Sequence, residues 1–370
     1  MNLLVINLDK AIFSENSASL ARLKEYSRLA DKISVIVWTK NKFAPIVYEN
    51  KLFVYPTNSC CRLFYFFDSF RLAKKIIARD KIDLLFTQDP FETGLAGWLI
   101  AKINKIKLQL QIHTDLFSPY FRRQSLANRF RVMLAEFLIS RADGFRVVSG
   151  RIKNSLIRRG VKEDKIFVLP IFTEVEKFIA APAGDNLKNK YPQFEKIILM
   201  ASRLSREKNI GLAVKAMAEV IKKYPRAGLI IAGAGKERKF LKKIGRKFLG
   251  GNIAFEPWAG DLASYYKSAD VFLLSSNYEG WGMSIVEALA AGCPIVMTDV
   301  GCAGELVRDG ENGLVVPVGD SQALANAIKK ILSDENSRRN FKAAGLAAVK
   351  SLPGKQEYLN GYKKSWEALL

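Results

Sequence analysis

Residues 271–299, VFLLSSNYEGWGMSIVEALAAGCPIVMTD, decide the fold class of this chain. Two short apolar runs, VFLLSS at the start and PIVMTD at the end, have strand character. Between them a glycine-containing loop leads into a helical pattern that begins at about residue 283. Apolar strands joined through a helix are typical of a parallel sheet that is covered on both faces. The segment therefore predicts an α/β fold.

The same alternation of strands and helices extends over almost the whole chain. In the first half, apolar runs predict strands at 3–8, 32–38, 51–56, 82–88, 106–113 and 144–149. In the second half, they predict strands at 197–202, 227–233, 252–258, 271–276, 294–299 and 313–318. Two such series, each of about 150 residues, predict two Rossmann-like domains that face each other.

The connection between the two series lies in a stretch without clear periodicity. Residues 168–194 contain three prolines and a patch of small residues, as a linker does. We expect a first domain over 1–175, a linker over 176–195 and a second domain over 196–350. The segment 355–370 follows a Pro353–Gly354 break and has a helical pattern, so we expect a C-terminal helix that packs back on the first domain.

The composition is globular, with an excess of positive charge. Apolar residues make up 49% of the 370 positions and charged residues 25%, which excludes a disordered chain. No apolar stretch is long enough to span a membrane, and the first residues read as a strand rather than a signal peptide. The four cysteines have no metal or disulfide spacing and predict reduced cytoplasmic thiols. The net charge of +22 attracts polyanions: nucleic acid, anionic lipid or a phosphorylated substrate.

Candidate binding residues follow the strand at 271–276. Glu279 lies at its carboxyl end, where α/β proteins bind ligands. Gly282 lets a ligand approach the backbone, and the N–H groups of the helix that begins at Met283 and Ser284 suit a phosphate or sugar hydroxyls. Glu287 comes about two helical turns later, and a carboxylate there suits a ribose diol. The alternative is a pair of surface glutamates around an ordinary loop.

A second group of candidates follows the strand at 197–202. Arg203 and Lys208 flank the loop before the next helix, and two cations at this end of a strand suit a diphosphate. Gly233 lies in a tight turn after the following strand, where it would line the same crevice. In a chain this basic, a solvated loop is the competing interpretation for either cation alone.

His113 is the one histidine of the sequence and ends an apolar strand in the first half. A single histidine excludes a metal site built from several histidines and a relay of histidines. Its position at a strand end favours a role in a site, whereas a lone histidine is often structural. Both interpretations stay open on the residues alone.

These motifs, together with VGCAGELVRDGENGLVVPVGD (300–320), resemble glycosyltransferase family 4. The similarity is strong over 196–345, moderate over 82–180 and weak over the first 70 residues. The resemblance implies the GT-B architecture, with two Rossmann-like domains and an active site in the cleft between them. It also implies a retaining, metal-independent transfer from a nucleotide sugar.

The resemblance assigns a role to each candidate residue. Arg203 and Lys208 would hold the donor diphosphate, and Glu287 would hold the ribose. Glu279 and the backbone at Gly282, Met283 and Ser284 would hold the donor sugar and phosphate. His113 matches the histidine that touches the donor sugar near the reacting carbon. Trp258 and Ala259 fall where the family binds the base.

The sequence departs from the family pattern at two points. The loop after the first strand, residues 9–19, contains no glycine, whereas the family often has a Gly-Gly pair that contacts phosphate and acceptor. In the later motif, Gly-Cys-Ala-Gly-Glu replaces the commoner Gly-Gly-x-x-Glu and keeps Glu305. No Asp-x-Asp triplet for a metal ion occurs, so we expect no metal and no cofactor, with positive charge supplied by Arg203, Lys208 and helix N-termini.

Much of the basic excess lies beside aromatic residues in two segments, 60–81 and 116–135. Such segments suit an anionic lipid surface, while a core-facing aromatic stripe with a solvated basic back is the alternative. Nucleic acid is not expected, because no recognised binding module is present.

We therefore expect a cytoplasmic enzyme, peripheral at the inner face of the membrane, that transfers a sugar to a lipid-linked or membrane-proximal glycan. The alternatives are a nucleotide-sugar epimerase of the same fold and a non-catalytic protein that binds sugar nucleotides and docks on membranes.

Overall fold

The computed structural model describes residues 1–40, 42–182, 187–257 and 260–370. The chain divides into two compact units, of which the first contains Met1–Pro170 and Gly354–Leu370 and the second contains Ile171–Pro353. Each unit has its own sheet and its own apolar core. In the described residues, every helix is too short or too polar to cross a bilayer.

The first unit is built on an eight-stranded sheet in the order β3-β4-β2-β1-β5-β6-β7-β8. All neighbouring strands are parallel except β3, which runs antiparallel to β4 at the edge. The strands are β1 (Asn2–Asn7), β2 (Lys32–Val37), β3 (Ile46–Tyr48), β4 (Leu52–Pro56), β5 (Leu84–Thr87), β6 (Lys107–Ile112), β7 (Gly144–Val147) and β8 (Ile166–Val168).

Helices connect most of these strands, and serine side chains start several of them. Ser17, Ser125 and Ser149 each accept a hydrogen bond from a backbone N–H in the first turn, which satisfies a donor that the helix itself leaves unpaired. The helices are α1 (Ala18–Ser27), α2 (Tyr65–Arg79), α3 (Glu92–Asn104), α4 (Pro119–Gln124), α5 (Leu126–Ile139) and α6 (Gly150–Ile157).

The second unit contains a fully parallel six-stranded sheet in the order β11-β10-β9-β12-β13-β14. Its strands are β9 (Lys196–Ala201), β10 (Ala227–Ala232), β11 (Ile253–Glu256), β12 (Val271–Leu274), β13 (Ile295–Thr298) and β14 (Leu314–Val316). Its helices are α7 (Val175–Ala180), α8 (Leu187–Lys190), α9 (Ile210–Ile221), α10 (Arg238–Leu249), α11 (Leu262–Ser268), α12 (Met283–Ala290), α13 (Ser321–Ser333) and α14 (Glu335–Lys350).

The last helix, α15 (Lys355–Glu367), belongs to the first unit. It supplies hydrogen-bond partners to polar side chains in the buried strand β6. The Gln109 amide donates to the Ser365 carbonyl at 2.7 Å, and the Tyr362 hydroxyl donates to Gln111 Oε1 at 2.9 Å. Trp366, which is fully buried, stacks on Phe86 of β5. The helix therefore completes the core of a unit whose other residues all precede the second unit in sequence.

The twelve strands expected from apolar runs are all present, each within one or two residues of the expected bounds. The structure adds β3 and β8, which are three residues long and too short to stand out as apolar runs. The division between the units falls after Pro170, earlier than the expected linker at 176–195. That stretch instead carries α7 and α8 of the second unit, and α7 packs against α12.

Candidate functional site

Two loops of the second unit meet at the carboxyl edge of its sheet. One follows β9 and the other follows β12, and these strands are neighbours although they are not consecutive in the chain. From β9 the strand order runs through β10 to β11 on one side, and from β12 it runs through β13 to β14 on the other. Such a reversal is the topological switch point at which open α/β sheets bind ligands.

Lys208 and Glu279 form an ion pair across this switch point. Lys208 Nζ donates to Glu279 Oε1 at 2.5 Å, and the two side chains are 14% and 12% exposed. Ser276 Oγ donates to the same oxygen at 2.7 Å. Both predicted residues are thus in contact at a shielded position, which fixes the carboxylate and the ammonium relative to each other.

Backbone and amide hydrogen bonds join the two loops around this pair. A 3₁₀ turn over Arg206–Lys208 ends at Asn209, whose φ of 43° lies in the left-handed region. The Asn209 side-chain amide donates to Asn277 Oδ1 at 2.9 Å, and the Asn277 N–H donates to the Glu207 carbonyl at 2.8 Å. The position of Lys208 is therefore set by the β12 loop as well as by its own.

Arg203 is the exposed member of the predicted cation pair. Its side chain is 76% exposed, and Nη2 lies 3.3 Å from Glu207 Oε1. Among the described residues, Arg203 forms its ion pair with Glu207 and not with Glu279. The fixed cation is Lys208, whereas Arg203 keeps the rotameric freedom of a solvent-facing side chain.

Gly233 is required by a close approach of two loops. Its φ is 149°, and a Cβ at this position would lie 1.9 Å from the Ser202 carbonyl oxygen. The Arg238 guanidinium donates to the Gly233 carbonyl at 2.9 Å and so holds the turn from the other side. The predicted glycine turn is thus packed directly on the loop that follows β9.

The loop after β12 leads into α12 through Gly282, which has a φ of 103°. No side chain caps this helix, so the backbone N–H groups of its first turn, which includes Met283 and Ser284, have no side-chain acceptor. Gly301 lies against the same loop, since a Cβ there would come within 2.4 Å of the Trp281 carbonyl oxygen. Predicted residues 282–284 therefore form a helix start whose partial positive charge is available to an anion.

Glu287 lies one turn into α12, and its Oε2 accepts from the Tyr266 hydroxyl at 2.8 Å. Burial raises the pKa of Glu287 above its ordinary value, although the Tyr266 hydrogen bond and the charge of Lys177 oppose the shift. In the described part of the chain, Oε1 has no hydrogen-bond partner. This oxygen is the acceptor that remains for a ligand hydroxyl.

His113 belongs to the first unit and directly follows β6. It is partly exposed, and its Nε2 lies 3.5 Å from Nη1 of the buried Arg146. Enclosure by protein, with the charges of Arg146 and Arg22, lowers the pKa of His113 to about 3. The imidazole is therefore neutral over the whole physiological range.

The glycine-free loop after β1 forms a 3₁₀ turn over Lys10–Phe13. Asp9 caps this turn by accepting from the Ala11 N–H at 3.0 Å, and Ile12 is buried. The loop thus forms a defined turn in which Ile12 is buried while most of its other side chains are exposed. Trp258 and Ala259, expected at the base pocket, lie outside the described residues.

The two basic and aromatic segments, 60–81 and 116–135, both lie in the first unit and differ in which of their aromatic side chains are buried. In 116–135, Phe121 is buried, so part of the aromatic content faces the core. Four side chains on α5 at helical spacing are instead 37–70% exposed, and we call them the α5 stripe: Leu126, Phe130, Met133 and Phe137. Arg122, Arg123 and Arg129 beside the stripe are exposed, whereas Arg131 is paired with Glu92 at 2.9 Å.

The segment 60–81 also presents exposed apolar side chains, among them Phe64 at 49% exposure. Leu63 and Phe67 are 80% and 69% exposed, while Phe66 and Phe70 are half-buried and pack on each other. A third basic and aromatic helix is α10 of the second unit, where Phe240 and Phe248 are exposed. An excess of cations around exposed rings is therefore present in both units.

Two family models match different parts of the chain. The model described as glycosyl transferases group 1 matches residues 185–347, and the model described as glycosyltransferase family 4 matches residues 24–177. The lipopolysaccharide core biosynthesis glycosyltransferase LpsE of Rhizobium meliloti is 30% identical over 49% of this chain and 52% of its own length. The phosphatidyl-myo-inositol mannosyltransferase of Mycobacterium leprae is 34% identical over 43% of each chain. The matched segments thus span about half of these relatives or less.

Among solved structures, Anabaena HepE in complex with UDP and glucose has a TM-score of 0.77 at 19% identity, with 99% of both chains covered. A similarity at this identity concerns the fold, and it confirms the expectation of two Rossmann-like domains of the GT-B type. The two family models match different parts of the chain and leave only its ends and a short connection uncovered. The two parts of this chain are thus similar to the glycosyl transferases of group 1 and of family 4, and its fold is that of the GT-B glycosyltransferases.

Proposed function

We propose that the protein transfers a sugar from a nucleotide diphosphate sugar to a lipid-linked or glycan acceptor at an anionic membrane surface. The observation that carries this proposal is the ion pair of Lys208 and Glu279, held at the switch point of the second unit's sheet. An ammonium and a carboxylate fixed side by side suit a ligand with an anionic group next to hydroxyls. A sugar joined to a diphosphate has that chemistry.

The cations and the N-terminus of α12 would bind the diphosphate of the donor. Lys208 is pre-positioned, Arg203 is exposed and able to close on a bound anion, and the α12 N–H groups at 283–284 offer uncompensated donors. The Glu279 carboxylate is an acceptor for sugar hydroxyls. Glu287 keeps Oε1 for a ribose hydroxyl while Tyr266 occupies Oε2.

The reaction breaks the bond between the anomeric carbon of the sugar and the diphosphate oxygen, and the electron pair leaves with the diphosphate. A new bond forms from the anomeric carbon to an acceptor hydroxyl oxygen, and the hydroxyl proton passes to the departing phosphate. Positive charge at the diphosphate stabilises the transition state, because negative charge develops there as the bond breaks. We propose that the anomeric configuration is retained.

We propose that no metal ion takes part. Lys208, Arg203 and the start of α12 already provide the positive charge that a leaving diphosphate requires. Within the described ranges, no three His, Cys, Asp or Glu side chains are grouped so as to hold a metal ion.

The names of similar proteins support the donor and acceptor classes. The structure of HepE was determined with UDP and glucose, and the relatives' names include a lipopolysaccharide core glycosyltransferase and a phosphatidylinositol mannosyltransferase. We propose a nucleotide sugar as donor on this basis, and an acceptor anchored in or close to a membrane.

The α5 stripe supports the membrane part of the proposal. Four apolar side chains in a row along one face of α5, flanked by exposed arginines, suit insertion between lipid head groups with charge attraction around them. The apolar side chains would insert into the head-group region of the bilayer, and the arginines would favour anionic over neutral lipid.

A panel of nucleotide sugars tests the donor site. A donor that binds the folded protein should raise its unfolding temperature, and the shift should vanish in Glu279→Ala. Glu219→Ala is the matched control, because this glutamate pairs with Lys222 on the surface of the same unit. Absence of a shift with every nucleotide sugar would overturn the proposal. Conversion of a donor into an isomeric nucleotide sugar without acceptor would favour an epimerase instead.

A further inference from the structure

Arg146 is a buried cation in the core of the first unit. It lies in the middle of β7 and is 2% exposed. Its Nη2 donates to the Leu169 carbonyl at 2.8 Å and lies 3.4 Å from the Tyr358 hydroxyl, while its guanidinium lies 4.9 Å from the centroid of the Tyr362 ring. In the described part of the chain, no carboxylate pairs with it. Burial of a charge without a carboxylate partner costs desolvation free energy. We therefore expect Arg146 to have a specific role.

The remaining group beside Arg146 is His113. Nη1 of the arginine lies 3.5 Å from Nε2 of the imidazole, at the long end of a hydrogen bond. A guanidinium has donors only and stays protonated in proteins. If Nε2 carried a proton, two donors would face each other. Nε2 must therefore present its lone pair, and the proton of a neutral imidazole must lie on Nδ1.

The other groups around this pair favour the same state. Arg22 of α1 adds a second positive charge near the imidazole. Tyr26 of α1, with Tyr358 and Tyr362 of α15, surrounds the guanidinium, and burial raises the pKa of Tyr26 and Tyr362, so both phenols stay neutral. No carboxylate among the described residues opposes these charges at the imidazole. A second proton on His113 would meet two cations and no counter-charge.

The C-terminal helix holds Arg146 in place. Tyr358 and Tyr362 both lie on α15, and the Tyr358 hydroxyl lies 3.2 Å from the Tyr26 hydroxyl. Gln111 of β6, two residues before His113, accepts from Tyr362 at 2.9 Å. The imidazole, the guanidinium and the helix thus form one continuous network.

We propose that Arg146 is a positioning residue that holds His113 as a neutral imidazole with its proton on Nδ1. Nδ1 has no partner among the described residues, and the His113 side chain is partly exposed, so this N–H is the one left for a ligand. His113 is then a fixed hydrogen-bond donor to a sugar hydroxyl, rather than an acid or a base. This last step rests on the proposed function, whereas the tautomer does not.

The single histidine makes the proposal directly measurable. In untagged protein labelled with ¹⁵N-histidine, all imidazole signals come from His113, and their chemical shifts distinguish protonated from unprotonated ring nitrogens. We expect Nδ1 protonated, Nε2 unprotonated and no titration between pH 5 and 8. A dominant Nε2–H form, or titration near the ordinary pKa of about 6.5, would overturn the proposal.

Two variants and a control separate positioning from folding. Arg146→Lys keeps a donor-only cation and should keep the Nδ1–H form, while Arg146→Met removes the constraint and should give mixed tautomers or a titrating imidazole. Arg28→Met, at an exposed position of the same unit, should change neither. If Arg146→Met does not fold, the wild-type spectrum and the lysine variant still decide the question. An unchanged spectrum in folded Arg146→Met would contradict the proposal.

Transfer kinetics add a second readout. If the proposed function holds, Arg146→Met should lower kcat on the order of tenfold with little change in the KM of the acceptor, and Arg146→Lys should restore most of it. The NMR measurement requires no nucleotide sugar. An inactive protein with the expected tautomer would therefore refute the proposed function and leave the assignment of Arg146 intact.

Discussion

Glu279 Oε1 accepts hydrogen bonds from both Lys208 Nζ, at 2.5 Å, and Ser276 Oγ, at 2.7 Å, so one carboxylate oxygen joins the ends of two neighbouring strands. The lysine is 71 residues away in sequence. Because the pair is largely shielded from water, loss of one partner leaves a charge that the protein does not solvate well. The pair is therefore a structural connection as well as the proposed binding element.

Substitutions at this pair should separate the two contributions. Glu279→Gln keeps an acceptor for Lys208 and Ser276, so we expect a smaller loss of stability than in Glu279→Ala but a loss of transfer of at least ~100-fold, because the carboxylate charge is gone. Glu279→Ala should lose transfer and also about 1–3 kcal/mol of unfolding free energy. Initial rates and urea unfolding measure the two effects. Normal turnover in either variant would remove Glu279 from the donor site.

Gly233→Ala should be strongly destabilising. The new Cβ would meet the Ser202 carbonyl oxygen at 1.9 Å, and the φ of 149° is unfavourable for any side chain. We expect a loss of roughly 2 kcal/mol or more, together with weaker donor binding, since the loop after β9 must move. Gly251→Ala is the control in the same unit, because nothing lies within 4 Å of its Cβ position. Equal unfolding free energies for the two variants would show that the loops are not packed in this way.

The raised pKa of Glu287 predicts a pH dependence of stability. Burial disfavours the ionised carboxylate in the folded protein, so the folded state binds its proton more tightly than the unfolded state does. The favourable contribution of the protonated form is complete below the ordinary pKa of 4.5 and is lost as the pH rises through the folded value. In Glu287→Gln the side chain does not ionise, so this loss of unfolding free energy at higher pH should be absent.

Chemical unfolding of Glu287→Gln and wild type at pH 4 and pH 7 measures the effect. Relative to wild type, the variant should be more stable at pH 7 than it is at pH 4. The variant should bind the nucleotide more weakly, because an amide is a poorer acceptor for a ribose diol than a carboxylate. A relative stability that does not change with pH would contradict the assignment of a buried carboxylate.

The α5 stripe predicts salt-sensitive binding to anionic vesicles. Each basic residue near an anionic surface contributes on the order of 1 kcal/mol, and screening grows as the Debye length falls from ~10 Å at 0.1 M to ~3 Å at 1 M salt. Changing Arg122, Arg123, Arg129 and Arg131 together to Ser should release the protein from sedimenting vesicles. Transfer to a short soluble acceptor should persist, because these arginines lie outside the proposed donor site.

The comparison variant removes the same charge from α10: Lys242, Lys243, Arg246 and Lys247 to Ser. Docking through α5 predicts that this variant still binds vesicles. Release by the α10 variant and not by the α5 variant would place the membrane surface on the second unit. Equal binding of wild type to neutral and anionic vesicles would show that the basic excess serves another purpose.

Transfer should survive a strong chelator. The diphosphate charge is proposed to be met by Lys208, Arg203 and the start of α12, so removal of divalent cations should leave initial rates within about twofold of the untreated enzyme. Dialysis against chelator followed by a rate measurement is sufficient. Restoration of a lost activity by magnesium or manganese would show that the proposed charge assignment is wrong.

Local pattern in the sequence is sufficient to predict most of the fold. Most strands of both sheets are apolar runs between polar breaks, and the position of Glu279 at a strand end follows from VFLLSS alone. The pairing of Glu279 with Lys208 does not follow from local pattern, because it depends on β9 and β12 being neighbours. The same holds for Tyr266, which meets Glu287 from α11.

The buried polar network of the first unit was missed for a different reason. An arginine within the short apolar strand GFRV and two glutamines within KLQLQI were visible as exceptions to the pattern. Their partners, however, lie on α15, about 250 residues later for Gln109 and Gln111. Period and composition describe an element's own faces, and they carry no information on which distant element satisfies a buried donor.

The place of α15 also bears on how the protein is made. During synthesis, the whole second unit emerges from the ribosome before residues 354–370 do. Until then, Gln109, Gln111 and Arg146 of the nascent first unit lack their partners on α15. The second unit is continuous in sequence and has all its strands available by then. Synthesis should therefore yield a folded second unit first. A nascent chain stalled before α15 emerges should carry a protease-resistant second unit and a protease-sensitive first one.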